Sequence, residues 1–299
     1  MNLHSPWNHW IISRRHTLPI LVWWFSLWIR DVLAQAQAKI FRLTQKSDQN
    51  MPDGYGRWQV RRRLNATPDD NRDPIVANFF TLENWGGSQV HLVSEWSIYN
   101  SNGELDPRIR NKIPPDRKPV IVMAWPFFDD NNSVEGCCVQ NGQIKNAKFS
   151  NKFGWYTLLF PDGHIELWEV PKDEPWKQRL LEKATNNWAT LFQQYILFPK
   201  RENQKLKVEP NKFRFLVKRR SSDGSETFGV CAFMENISIE DALQVMREIG
   251  IEEAVYLDTN SVAKITCFDD QWKSFILGGS NDPTKWTAHK NALVFTASR

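Results

Sequence analysis

The sequence lacks the spacings that metal and redox chemistry require. Its four cysteines form no CxxC pair, its six histidines no HExxH or cluster, so neither a structural zinc nor a zinc hydrolase is supported. Cys137 and Cys138 are adjacent, a geometry that strains a mutual bridge; pairing of either with Cys231 or Cys267 stays open. A net charge of +4, from 38 basic and 34 acidic residues, is too small to argue for nucleic acid. No internal repeat and no low-complexity block follows the amino-terminal leader. Neither metal nor cofactor is implied.

The 299 residues are long enough for a substantial core, and 41% hydrophobic with 24% charged is ordinary globular composition. Tryptophan is abundant instead, at 15 residues. Composition alone leaves two accounts: core fillers, or exposed stacking platforms for sugar rings. Residues 1–38 have the layout of an export signal. A polar stretch ends in Arg14-Arg15, an apolar run spans Thr17 to Ile29, and small residues recur at Ala34, Ala36 and Ala38. The run is shorter than the ~20 residues of a spanning helix. An uncleaved anchor with Trp23, Trp24 and Trp28 at the interface is the alternative. The expectation is a secreted or periplasmic protein, touching a membrane only through this segment.

Residues 39–58, with "TQKSDQNMPDGYG", read as a linker, and residues 59–299 as a single domain. That domain reads as α+β: a mixed, mainly antiparallel sheet core with a few packed helices. "SQVHLVSEWSIYN" alternates as a strand, and Val120 to Ala124 is a buried apolar run. Asn141-Gly142 is a strong hairpin turn, and Pro161-Asp162-Gly163 divides a second hairpin. Trp176, Leu180, Ala184, Trp188, Leu191, Phe192 and Tyr195 recur at helical spacing after Pro175, predicting a helix through that stretch. A second helix starts at Ser238 with Asp241 three residues on, and stops at Gly250. A buried strand ending in Asp258 follows at once. Ligand sites often lie beyond such strand ends.

The helix–strand–acid unit, "NISIEDALQVMREIGIEEAVYLDTNS", resembles the carboxy-terminal signature of the phosphodiester glycosidase family, which reads roughly "ALNLDGGGSS". In the same order, "AWPFFDDNNSVEGCCVQNGQI", "GWYTLLFPDGHIEL" and "RRSSDGSETFGVCAF" are similar to its other segments, together spanning about residues 115 to 278. The departures fall on glycines. Ala124-Trp125-Pro126 stands where the family has Asn-Gly-Gly, and Thr259-Asn260-Ser261 where it has a glycine run that lets backbone N–H groups approach a phosphate.

The resemblance implies cleavage of sugar–phosphate diester linkages in glycans or cell-surface polymers. Such cleavage needs a proton for the leaving oxygen, a carboxylate for oxocarbenium-like charge, and a cation or N–H groups for the phosphate. The available acids are Asp258 at the strand end and Asp129 or Glu135 around the aromatic pair, with Asp258 and Asp129 as the candidates. Arg219, Arg220, Thr259, Asn260, Ser261 and Phe128 are the substrate contacts. The alternative is a catalytically inactive relative that binds glycans or another protein. His164 reads as a strand-surface residue.

Overall fold

The computed structural model describes residues 41–45, 51–52, 55–64, 69, 72–82, 88–93, 98–100, 104–124, 134–162, 164–198, 210–220, 224, 226–257, 265–277 and 292–298. Within them the chain forms three sheets, all with antiparallel pairing. The first contains β1 (Phe41–Gln45), β2 (Tyr55–Arg62), β3 (Ile75–Leu82), β11 (Ile196–Phe198), β12 (Arg214–Arg220), β13 (Glu226–Phe233) and β14 (Ile251–Tyr256), in the order β1-β2-β3-β13-β12-β14-β11. The second is β16-β15-β5-β17-β4, from β4 (Ser88–Val93), β5 (Arg117–Ala124), β15 (Ile265–Phe268), β16 (Ser274–Leu277) and β17 (Ala292–Ser298). The third is β7-β6-β10-β8-β9, from β6 (Cys138–Gln140), β7 (Gln143–Asn146), β8 (Trp155–Leu159), β9 (Ile165–Glu169) and β10 (Thr190–Gln194). Helices are few: α1 (Pro107–Arg110), α2 (Glu174–Asn186) and α3 (Ile239–Glu248).

Alternation along the strands of the first sheet sorts its residues into two cores. Phe80, Leu216, Val230 and Val255 face a central cluster. That cluster also takes Ile121, Met123, Leu293 and Phe295 from the second sheet, and Leu159, Ile165 and Phe192 from the third. One core fed by three sheets makes a single domain. Phe79, Phe215, Val217 and Cys231 face the other way, under the Ile239, Leu243 and Met246 stripe of α3. Each such large side chain contributes about 1.5–3 kcal/mol of gross burial energy. The middle of this sheet is tight: a Cβ on Gly229 would lie 2.1 Å from the Phe80 carbonyl oxygen.

The mainly antiparallel expectation holds, with two corrections in its details. Part of the expected linker is strand. Phe41 is buried against α3, its N–H donating to the Glu248 carboxylate at 2.8 Å, and Tyr55 at the start of β2 is buried in the central core. The long helix expected through Tyr195 stops at Asn186. Trp188 takes a left-handed φ of +54°, and Thr190–Gln194 become β10, with all five residues buried. The Asn141-Gly142 hairpin forms with both residues left-handed, at φ +48° and +77°. Ser238 caps α3 as its spacing predicts: its hydroxyl accepts the Asp241 N–H at 3.1 Å. All four cysteines are buried and unbridged.

Candidate functional site

The helix–strand unit forms as the sequence suggests. Gly250, at φ +79°, reverses the chain after α3, and β14 runs back between β12 and β11. Its last bonds are Tyr256 N–H to the Tyr195 carbonyl and Leu257 N–H to the Arg214 carbonyl, both 3.0 Å. Asp258 follows Leu257 directly. Asp258, Thr259, Asn260, Ser261, Phe128 and Asp129 all lie outside the described residues. What is described is the set of strand ends flanking them. Met123 near the end of β5 pairs with Ile265 at the start of β15, and Ala124 pairs with Ala292. The chain therefore departs towards Asp129 beside the point where it returns after Asp258.

Under this end of the first sheet lies a buried polar row. Gln59, Asn78, Ala232 and Arg214 are directly opposed on β2, β3, β13 and β12, so their side chains emerge on one face, the central-core face. Among the described residues Arg214 is the largest fully buried side chain, at 1% exposure. A guanidinium keeps its charge at any working pH, so this is a standing positive charge inside the protein. Arg57, also buried, donates to Asn78 Oδ1 at 3.3 Å and lies 4.7 Å from the Phe275 ring centre. Tyr99 is buried and accepts the Thr266 hydroxyl at 3.2 Å. Burial pushes its phenol up to about 12, opposed by the Thr266 hydrogen bond and by the charge of Arg214.

The register separates the expected arginine pair from this end. Phe215 pairs with Tyr256, but Lys218 pairs with Glu253 and Arg219 with Ile251. Arg219 and Arg220 thus sit at the opposite end of β14, roughly 17 Å away at ~3.3 Å per residue. Arg219 Nε donates to the Ile249 carbonyl at 3.1 Å. Arg220 pairs with Glu226 at 3.0 Å and Glu252 at 3.6 Å. Their work is at the far edge, joining α3 and β13 to the strand pair. Arg214 is the residue that sequence reasoning passed over. Its signal was one charged residue inside an apolar strand, "FRFLV". His164 is exposed beside Glu166, as a strand-surface residue would be. Among the described residues no group of three His, Cys, Asp or Glu side chains is placed to hold a metal ion.

No family model matches the chain, and no curated protein matches it. Among solved structures it is similar to the catalytic domain of zebrafish N-acetylglucosamine-1-phosphodiester alpha-N-acetylglucosaminidase, auto-inhibited by pro-peptide. The TM-score is 0.50 and the identity 11%, over 91% of this chain and 92% of that chain. At this identity the likeness is one of fold, and it spans nearly the whole of both chains.

Proposed function

We propose that the chain is an exported hydrolase that cleaves phosphate-linked glycans at the end of β14, with Asp258 and Asp129 as its acids. The observation that carries this reading is the fold likeness to a domain that acts on a sugar phosphodiester. The topology supports it, because the segment bearing Asp129 leaves the end of β5 beside the start of β15, where the segment bearing Asp258 ends. In the reaction, one carboxyl group protonates the leaving oxygen while the other, ionised, stabilises the developing oxocarbenium charge. Arg214, rather than Arg219 and Arg220, supplies the standing positive charge at that end. It acts from within the core, favouring the ionised form of a neighbouring acid. Thr259, Asn260 and Ser261 offer hydroxyl and amide hydrogen bonds in place of glycine N–H groups.

One observation favours a second reading. Without the glycines after Asp258, close backbone approach to a phosphate is hindered, which suits a binding relative that has lost turnover. Hydrolysis of a panel of sugar-1-phosphate diesters, beside Asp258→Asn and Asp129→Asn, separates the two. Turnover that disappears in both variants supports the hydrolase. Absence of turnover in a folded parent transfers the case to glycan binding, and turnover that survives both variants removes the site.

A further inference from the structure

Trp188 occupies a position that proteins usually give to glycine. It follows the last turn of α2 with φ +54°. Ala189 N–H donates to the Ala184 carbonyl at 2.8 Å and Trp188 N–H to the Thr185 carbonyl at 3.2 Å, the two bonds of a Schellman helix stop. A Cβ is penalised in that conformation, and a bulky residue there is an outlier. Burial does not explain the exception, since Trp188 is 69% exposed. The position spends backbone strain to hold an indole out in solvent, and strain of this kind gathers at sites that bind.

The surroundings identify what such an indole would meet. The Asn141-Gly142 turn lies beneath it. A Cβ on Gly142 would approach Trp188 Cα to 3.1 Å, so the bare glycine lets the two segments close on each other. Gly142 N–H donates to the Ala189 carbonyl at 2.9 Å, and Asn141 N–H to the Thr190 hydroxyl at 3.0 Å, which fixes the turn against the helix stop. The chain neighbours on both sides are uncharged hydrogen-bonding residues. Asn186 and Asn187 precede the indole, and Gln143 follows the turn, all three exposed. A phosphate backbone or an anionic membrane would call for lysine and arginine at this rim. A flat, exposed apolar ring with exposed amide residues next to it in the chain and after the turn beneath it instead matches a pyranose, which offers a C–H face and a fringe of hydroxyl groups.

We propose that Trp188 is the platform of a neutral-sugar subsite, with the Asn186 and Gln143 amides hydrogen-bonding the sugar's edge; the Asn187 amide nitrogen already donates to the Lys183 carbonyl at 2.8 Å, which leaves its oxygen as an acceptor. The subsite is distinct from the end of β14. Trp188 stands before the first residue of β10, whose far end leads to Tyr195, the acceptor for Tyr256. Seven residues of nearly extended chain separate the two places by roughly 20 Å. That span places it on a different residue of a long glycan from the one at the acids. It rests on the proposed function only for the identity of that polymer.

Trp188→Gly tests the proposal cleanly, because glycine is the residue the backbone prefers there. The full chain, in mild detergent, is run on native gels containing hydroxyethylcellulose, xyloglucan or galactomannan, and its melting temperature is measured. The expected result is retardation of the parent in at least one gel and at least a tenfold weaker apparent affinity in Trp188→Gly, whose melting temperature equals or exceeds the parent's. Equal retardation of parent and variant, or an unretarded parent in all three gels, overturns the proposal. A parent that is retarded yet hydrolyses no diester keeps this subsite and removes the hydrolase; one that hydrolyses but is never retarded does the reverse.

Discussion

Adding one methyl group at Gly229 should be among the most damaging small changes available to this fold. Gly229 sits in β13, between β3 and β12 in the middle of the first sheet. An alanine Cβ there would stand 2.1 Å from the Phe80 carbonyl oxygen and 2.7 Å from Phe79 Cε2. The Phe80 oxygen belongs to the backbone of a paired strand, so no side-chain rotation relieves the contact. Reaching an ordinary carbon–oxygen separation of ~3.2 Å means opening the β3–β13 spacing by about 1 Å, in a ladder whose strands lie ~4.8 Å apart. Overpacking costs about 1–3 kcal/mol, and stretching two ladder hydrogen bonds adds about 1 kcal/mol each. Gly229→Ala should therefore lose about 3–5 kcal/mol in urea unfolding. Gly224→Ala is the matched control. It has a left-handed φ of +83° and nothing within 4 Å of the added carbon, so only backbone strain of about 1–2 kcal/mol applies. If Gly229→Ala unfolds within 1 kcal/mol of Gly224→Ala, the close approach of β3 and β13 is wrong.

Three further outcomes are expected. Ser238→Ala removes the α3 cap and should cost about 1 kcal/mol in urea unfolding; no change would mean that water replaces the hydroxyl. Burial, assisted by Arg117 and opposed by Asp116, depresses the His91 imidazole to about 4. The unfolded chain then binds the extra proton between pH 6.5 and about 4, so stability is full above 6.5 and falls by at most about 3 kcal/mol across that window. His91→Gln should flatten this part of a melting-temperature profile, and an unchanged slope would clear His91 of the effect. The Cys137, Cys138 and Cys231 thiols are pushed up to about 12 by burial, and Cys267 is raised further. The native protein should thus leave a disulfide reagent unreacted at pH 8 and expose all four thiols only in denaturant; a thiol that reacts promptly in the native state would contradict their burial.

Local signals were legible where one rule decides a segment. Asn141-Gly142 admits few backbone arrangements other than its hairpin, and the Ser238 cap with the Gly250 stop brackets α3 from both sides. Segments whose structure depends on distant partners were not. The polar letters of residues 39–58 hide β1 because Phe41 finds its place only against α3, far along the chain. Leu191 and Phe192 fit helical spacing from Trp176. Every residue of β10 is buried, however, so that stretch carries no period by which helix and strand can be told apart.

The same limit governs the site. Asp258 could be placed at a strand end because helix, stop and strand are contiguous in sequence. Pairing of Arg219 and Arg220 with that end required the β12–β14 register, and antiparallel pairing reverses the inference: the residues leaving β12 meet the residues entering β14. The arginines that look available in the sequence are therefore the ones with ordinary work. Arg220, Glu226, Glu252 and Lys218 form a surface network, where each pair contributes about 0–1 kcal/mol. Arg214 is the opposite case. A charge held at 1% exposure costs several kcal/mol of desolvation, and an apolar residue of similar size would spare the fold that cost. Under the proposed hydrolase reading, that charge holds a neighbouring acid at this end of β14 in its ionised form.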